Sequence, residues 1–216
     1  MLPFTAEAFF ALFEDYNAAI WPAQVVAYGL GALALWLSFR PRPGSNRTIA
    51  GVLAACWLWT GLVYHVATFD VINVAAPVFG GLFALQALLL VWTGVVRGRL
   101  VFHFQPDIFG WVGLGLAVFA MALYPLIAWL ADHGWPEAAM FGVAPSPTTL
   151  FTFGMLLAVE GRSPLYLLVI PVLWSLIWGG AAWFLDISED LALPLAAIVG
   201  TGLMVWKNRR AARASG

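Results

Sequence analysis

Seven runs of about twenty mainly apolar residues divide the chain, and nothing constrains its fold more. They lie at roughly 18–38, 49–68, 76–96, 108–131, 146–160, 165–184 and 191–207. A helix needs about 20 such residues to cross a hydrocarbon core about 30 Å thick. The loops between runs reach only about fifteen residues, too short to bury a core of their own. Of 216 residues, 62 % are hydrophobic and 10 % charged, whereas soluble domains run near 45–50 % and about 25 %. The sequence therefore predicts an all-α, polytopic membrane helix bundle in a single transmembrane domain, about seven helices with lipid as their solvent. Ahead of it, residues 1–17 place Phe9, Phe10, Leu12 and Phe13 among acids and read as a short interfacial helix. Thr5 is a weak N-cap signal for that helix. Residues 18–207 form the bundle, and 208–216 a basic tail suited to touching anionic headgroups, with no case for nucleic acid.

Charge sets the expected orientation. Arg40, Arg42 and Arg47 separate runs one and two, Arg97 and Arg99 follow run three, and Arg162 follows run five. Lys207, Arg209, Arg210 and Arg213 follow run seven. With seven spans, all ten basic residues share one side, and the positive-inside rule makes that side cytoplasmic. Nine of the eleven acids (Glu7, Glu14, Asp15, Asp70, Asp132, Glu137, Asp186, Glu189 and Asp190) map to the other face. The expected topology has the N-terminus outside and the C-terminus in the cytoplasm. A lone cysteine, Cys56, rules out a disulfide within the chain, and no basic stretch opens the chain as a cleaved secretory signal would.

The fifth run is broken. In "FGVAPSPTTLFTFGMLLAVE", residues 141–160, Pro145 and Pro147 stand where a span should already be inside lipid. Ser146 as N-cap with Pro147 at the first helical position is a good helix start. A helix from there to Glu160 rises only about 20 Å. The preceding "FGVAP" then dips into the bundle as irregular backbone, tolerated only where it is buried or lines a wet cavity. Such a start aims free amides and the positive end of a helix dipole inward. Ser146, Thr148, Thr149 and Thr152 are the candidate binding residues there, since broken helices are where transporters bind ions or small anions. The alternative is a short tilted helix whose threonines bond their own backbone carbonyls.

Other polar groups lie at membrane depth: Tyr64 and Thr60 on one face of run two, His65 at its end, Gln86 in the middle of run three, and Gln24 near the outer edge of run one. Tyr124 precedes Pro125, which kinks run four. Tyr64 and Gln86 are candidate lining residues of one outward polar cavity, although an interhelical hydrogen bond explains Gln86 as well. His65, His133 and Glu137, with Asp70 and Asp132, are the residues a divalent ion on the outer face would use. They match no recognised spacing. His65 is the one plausible axial haem ligand. Seven-helix zinc hydrolases need more histidines, and a retinal protein needs a lysine inside its last span, whereas Lys207 sits at that span's end. Ser146 and Ser175 have no sequence-visible base, Ser175 being better placed to bond its own helix. No cofactor and no catalytic residue is specified. The twelve tryptophans are expected near span ends and on lipid-facing sides.

"YNAAIWPAQ" (16–24) and "FGVAPSPTTLFTFG" (141–154) together resemble an uncharacterised family of small bacterial integral membrane proteins, over nearly the whole chain. In that family a cysteine often stands where this chain has Ser146, so a thiol at the half-helix start is not needed here. The resemblance implies a multi-span protein of the bacterial inner membrane and brings no activity. Three expectations follow. The chain is a transporter or channel-like protein holding a small solute or ion at the broken helix, a membrane redox or metal-binding component, or a non-catalytic accessory subunit of a membrane complex. A homo-oligomer or a membrane partner is compatible with each.

Overall fold

The computed structural model describes residues 3–185 and 187–214; Asp186, one of the acids expected at the outer end, lies outside them, as do Met1, Leu2, Ser215 and Gly216. The architecture is all-helical. Helix α1 (Ala6–Ala19) starts at Thr5, whose hydroxyl accepts from the Ala8 amide. A bend of 85° follows, and α2 (Ala23–Phe39) enters the bundle. Next come α3 (Ser45–Trp59), continued by a π-helical stretch over Thr60–Val66, and α4 (Ala76–Leu90), continued likewise over Val91–Val96. Asp107 caps α5 (Ile108–Val118) by accepting from the Phe109 and Gly110 amides. A third π-helical stretch, Phe119–Leu123, joins α5 to α6 (Tyr124–Leu130). It falls just ahead of Pro125, where the missing amide and the ring disturb the regular ladder. The short α7 (Pro145–Leu157) precedes α8 (Val169–Leu185) and α9 (Ala192–Ala214). Among the described residues the strand-like pairing is limited to one bridge, Phe102 with Val159.

Five stretches are long and apolar enough to cross a membrane: Ser45–Val71, Ala76–Val96, Ile108–Leu130, Leu165–Leu185 and Ser188–Arg213. The bent pair α1 and α2 makes a sixth if taken as one span. Helices also coincide with the remaining two expected runs, but α2 has 17 residues and α7 only 13. The N-terminal helix is more deeply held than an interfacial helix would be, since Phe9, Phe13, Tyr16 and Asn17 are buried.

Cross-links gather the loops into two ends. At one, Phe104 N donates to Ser38 O and Phe102 N to Asn46 Oδ1, Glu160 N donates to Val101 O, and Asn208 pairs with the Ser163 backbone. Every lysine and arginine lies in these loops, in the first turn of α3 (Arg47) or in the last turns of α9. Arg42 and Arg97 fold over the Trp36 and Trp92 rings there, at 4.6 and 4.5 Å, as long cations do when they reach from an apolar surface toward water. The other end collects α1, the start of α7 and the acids Glu137, Glu189 and Asp190.

Glycines set the closest helix approaches. A Cβ on Gly113 would lie 2.6 Å from Gly154 O, and one on Gly154 would lie 2.5 Å from Gly113 O. Gly61 and Gly80 play the same part between α3 and α4, where a Cβ on Gly80 would lie 2.7 Å from Gly61 O. Without a hydrophobic force between helices in lipid, close backbone packing of this kind carries association. Three tryptophans depart from the expected lipid-facing placement: Trp57, Trp174 and Trp178 are buried. They belong to an aromatic cluster that includes Phe9, Phe69 and Phe83.

Gly113→Val should therefore destabilise the protein by about 1–3 kcal/mol through overpacking. Gly115→Ala, where an added Cβ meets nothing within 4 Å, should leave stability unchanged or slightly raised. Thermal melting of the two variants in detergent separates the cases.

Candidate functional site at the start of the buried helix

All thirteen residues of α7 are buried, so this helix is a core element and both of its ends must be satisfied by protein. It begins two residues earlier than the proline pattern suggested. Ala144 is the N-cap, extended at φ −121° and ψ 151°, and Pro145 follows it. Proline restricts the residue before it to extended backbone, and its own fixed φ suits the first helical position. Pro147 still falls in the first turn, where an amide would have no helical partner. Ser146 is thereby released from capping and lines a small cavity with Tyr124, Glu137, Glu189 and Asp190.

Two buried acids face that cavity. Glu189 and Asp190 are 3 % and 2 % exposed, held in the 3-10 turn Ser188–Leu191 that leads into α9. Tyr124 Oη donates to Asp190 Oδ1 at 2.5 Å, and Trp178 Nε1 donates to Oδ2 at 2.6 Å. Ser146 lines the same cavity as this carboxylate. His133 Nε2 lies 2.8 Å from Glu189 Oε1, while its Nδ1 lies 2.9 Å from the Ala131 carbonyl. Glu189 Oε2 has no protein partner. The enclosed space is about 10 Å³, the room of a single water. Phe9, Phe10, Phe13, Tyr64, Ala139, Pro145, Trp178 and Ile187 also line it. Its polar groups are largely bonded to one another. A larger groove, about 740 Å³, lies elsewhere, between the start of α1, Asn73, Phe79 and α8. Its lining is mostly apolar, with no acid among the described residues, so the chemistry is placed at the smaller site.

The opposite end of α7 receives a cation. Lys207 Nζ donates to the Leu157 carbonyl at 2.8 Å and to the Val159 carbonyl. An acid by the N-terminus and a lysine at the C-terminus both complement the helix dipole, and α9 with its leading turn supplies both.

A clamp from α1 and α2 holds the loop that precedes α7. Asn17 Nδ2 donates to the Pro136 and Ala138 carbonyls at 2.6 and 2.8 Å, and Gln24 Nε2 donates back to Asn17 O and Oδ1. Tyr16 Oη donates to Val143 O at 2.7 Å and accepts from Trp59 Nε1 at 3.0 Å. Gly142, at φ +80°, presses on Ala27 and Cys56, where a Cβ would lie 2.7 Å from Ala27 Cβ. Residues 16–24 and 141–154, far apart in sequence, are thus two halves of one contact.

The threonines behave as structural residues. Thr148 Oγ1 accepts from Gly142 N, Thr149 Oγ1 donates to Pro145 O, and Thr152 Oγ1 donates to Thr148 O while accepting from Trp57 Nε1. Gln86 Nε2 donates across to Leu167 O at 3.0 Å, and Ser175 bonds back to Pro171 O. Tyr64 stacks between Phe13 and Phe69 and lines the acid cavity. The metal candidates separate. His65 sits among Tyr64, Phe69, Phe79, Phe83 and Trp174 with neither ring nitrogen partnered. His133 instead stacks on Phe10 and bonds Glu189, and Glu137 lines the acid cavity. Among the described residues no group of three histidine, cysteine or acidic side chains is close enough to hold a metal ion. Sequence reading placed Glu189 and Asp190 only as outer-face charges. The signal available was two acids just ahead of an apolar run, which a solvated loop shows equally.

The profile of a family of unknown function, DUF6064, matches residues 6–215. This chain belongs to that family. No curated protein and no solved structure matches it. Membership in DUF6064 assigns no activity, so function has to be argued from the site.

Asn17→Ala would leave the Pro136 and Ala138 carbonyls without their donor inside the protein, and should cost about 1–3 kcal/mol. The expected result is a lowered melting temperature in detergent, with Asn17→Asp also destabilising because a carboxylate cannot donate to carbonyls.

Proposed function

We propose that this chain is an integral membrane protein of the transporter or channel-like kind, binding a small ion where the broken helix begins, at Ser146, Glu189 and Asp190. It crosses the membrane seven times, with α2, α3, α4, α5 with α6, α7, α8 and α9 as the crossings and α7 shielded from lipid by the others. Its N-terminus is outside and its C-terminus cytoplasmic, in a bacterial inner membrane. Support for the topology comes from the charge pattern: all ten basic residues lie in the loops and tail at one end, as the positive-inside rule requires of a cytoplasmic face.

One observation carries the ion-binding reading. Two adjacent carboxyl groups are buried at the mouth of a half-helix, with every lysine and arginine of the chain at the far end. Buried acids are costly without a compensating charge, and ionisable residues at membrane depth mark ion or proton paths. The sign differs from that of an ordinary half-helix site. Asp190, with Ser146 beside it, already supplies a carboxylate by the start of α7, so the site suits a cation or proton rather than an anionic solute. The threonines of α7 support the helix and do not line a path. The aromatic surroundings of His65 and the scattered acids and histidines give the redox and metal readings no comparable support.

Reconstituted in vesicles that enclose pH-sensitive or sodium-sensitive dye, the protein should dissipate an imposed gradient faster than empty vesicles. Asp190→Asn should slow this about 10- to 100-fold, the loss of one charged contact to the bound ion. Vesicles carrying the wild-type protein that are no leakier than empty ones, for protons, sodium and potassium alike, would overturn the reading.

A further inference from the structure

The ion at this site can be narrowed, on the assumption that the ion-binding reading holds. His133 fixes the bookkeeping. Its Nδ1 lies 2.9 Å from the Ala131 carbonyl, which can only accept, so Nδ1 carries a hydrogen. Its Nε2 lies 2.8 Å from Glu189 Oε1. Two acceptor atoms at that distance need a hydrogen between them, so the His133–Glu189 pair holds one proton, whether as imidazolium with carboxylate or as imidazole with carboxylic acid. The other Glu189 oxygen is buried, lacks a partner among the described residues and belongs to a residue lining the cavity. An unpartnered carboxyl oxygen in a space of about 10 Å³ fits one water.

A metal cation fits poorly. Hard cations take about six or more oxygen ligands, and both Asp190 oxygens already accept from Tyr124 and Trp178. The remaining wall is Phe9, Phe10, Phe13, Tyr64, Ala139, Pro145 and Ile187, with Glu137 the one further carboxylate, too few oxygens to complete such a shell. What the cavity can pass is a proton. We propose that His133, Glu189, one water and the Asp190–Ser146–Tyr124 group form a proton relay running from the outer end of the bundle to the start of α7. The proton shared by His133 Nε2 and Glu189 Oε1 settles on Glu189, and rotation of the carboxyl group carries it to the side of the water. The water takes it while giving up another of its hydrogens to Asp190, and a proton from the outer end then restores the His133–Glu189 pair. No bond other than O–H and N–H forms or breaks, and the charge moved is the proton's own.

Among the described residues, the titratable groups that line the cavity with the two acids, or bond one of them, come from three elements. The loop supplies His133 and Glu137, α6 supplies Tyr124, and the π-helical stretch after α3 supplies Tyr64. From α1 come only phenylalanines, and from α8 only Trp178.

Infrared difference spectra of the detergent-solubilised protein, recorded across a pH titration, test the relay. The wild type should show the carbonyl stretch of a buried carboxylic acid that disappears as pH rises. Asp190→Asn or Glu189→Gln should remove part of that band. His133→Gln, which keeps a hydrogen-bonding side chain but cannot titrate, should retain the band and move its midpoint by about one pH unit or more. Replacing potassium with sodium should leave the midpoint in place. A band unchanged in both carboxyl variants, or a midpoint that follows sodium concentration, overturns the relay. Should a carboxyl variant fail to fold, His133→Gln and Ser146→Ala decide the matter, since an unmoved midpoint in both also overturns it. Vesicle flux without a titrating band would refute the relay and leave the ion-binding reading standing; a titrating band without flux would do the reverse.

Discussion

Because every residue of α7 is buried, neither end of this helix can be finished by solvent, and much of the remaining structure serves that need. A helix leaves its first amides and last carbonyls unpaired. In hydrocarbon such groups cost several kcal/mol each. Lys207 reaches the carbonyls at the C-terminal end, and Ser163 Oγ bonds Leu156 O at the same place. At the other end two prolines remove two of the amides that would need partners, and a buried acid lies beside the first turn. The same helix, α9, is continuous with both the lysine and the acid-bearing turn. Rotating or shifting α9 would unsettle both ends of α7 together.

That dependence explains where specificity of packing is concentrated. α7 touches α5 through paired glycines, and its leading loop is fastened by Tyr16 and Asn17. The fastening groups are neutral amides and phenols in donor–acceptor pairs, which tolerate a low dielectric far better than charges do. The acids are the exception. Among the described residues the site has two buried carboxyl groups, with Glu137 at its wall, one imidazole and no ammonium or guanidinium, so sharing protons among its members limits buried charge. In the proposed relay chemistry and stability would be coupled at this point, since the groups that pass the proton are also those that make the site sensitive to pH.

The largely structural role of the threonines has a plain cause. A hydroxyl within an apolar helix finds the carbonyl one turn earlier as its nearest acceptor, and Thr149 and Thr152 both do so. Hydroxyls in a row therefore do not signal a path unless something draws them away from their own backbone. Ser146 is such a case: it follows the extended Ala144 and faces Asp190. A hydroxyl at this position suits a proton-sharing group.

By itself the sequence determined the helical class, the approximate place of most helices, the break ahead of α7 and the segregation of basic residues to one end, although α9 runs on to Ala214 through residues that read as a tail. Each of these follows from local composition: apolar length, proline chemistry and charge are properties of a segment, whatever surrounds it. It also offered an interhelical bond as one of two readings of Gln86 and favoured Ser175 bonding its own helix, since a lone polar group in an apolar helix has few choices. Tertiary structure decided what no segment carries alone. Glu189 and Asp190 read as loop acids, and only the approach of α6, α8 and the His133 loop turns them into a buried pair. Tyr16 and Asn17 lie in a helix that looked interfacial, and their partners stand more than a hundred residues away. Burial and partnership are set by how helices pack, and that depends on all of them at once.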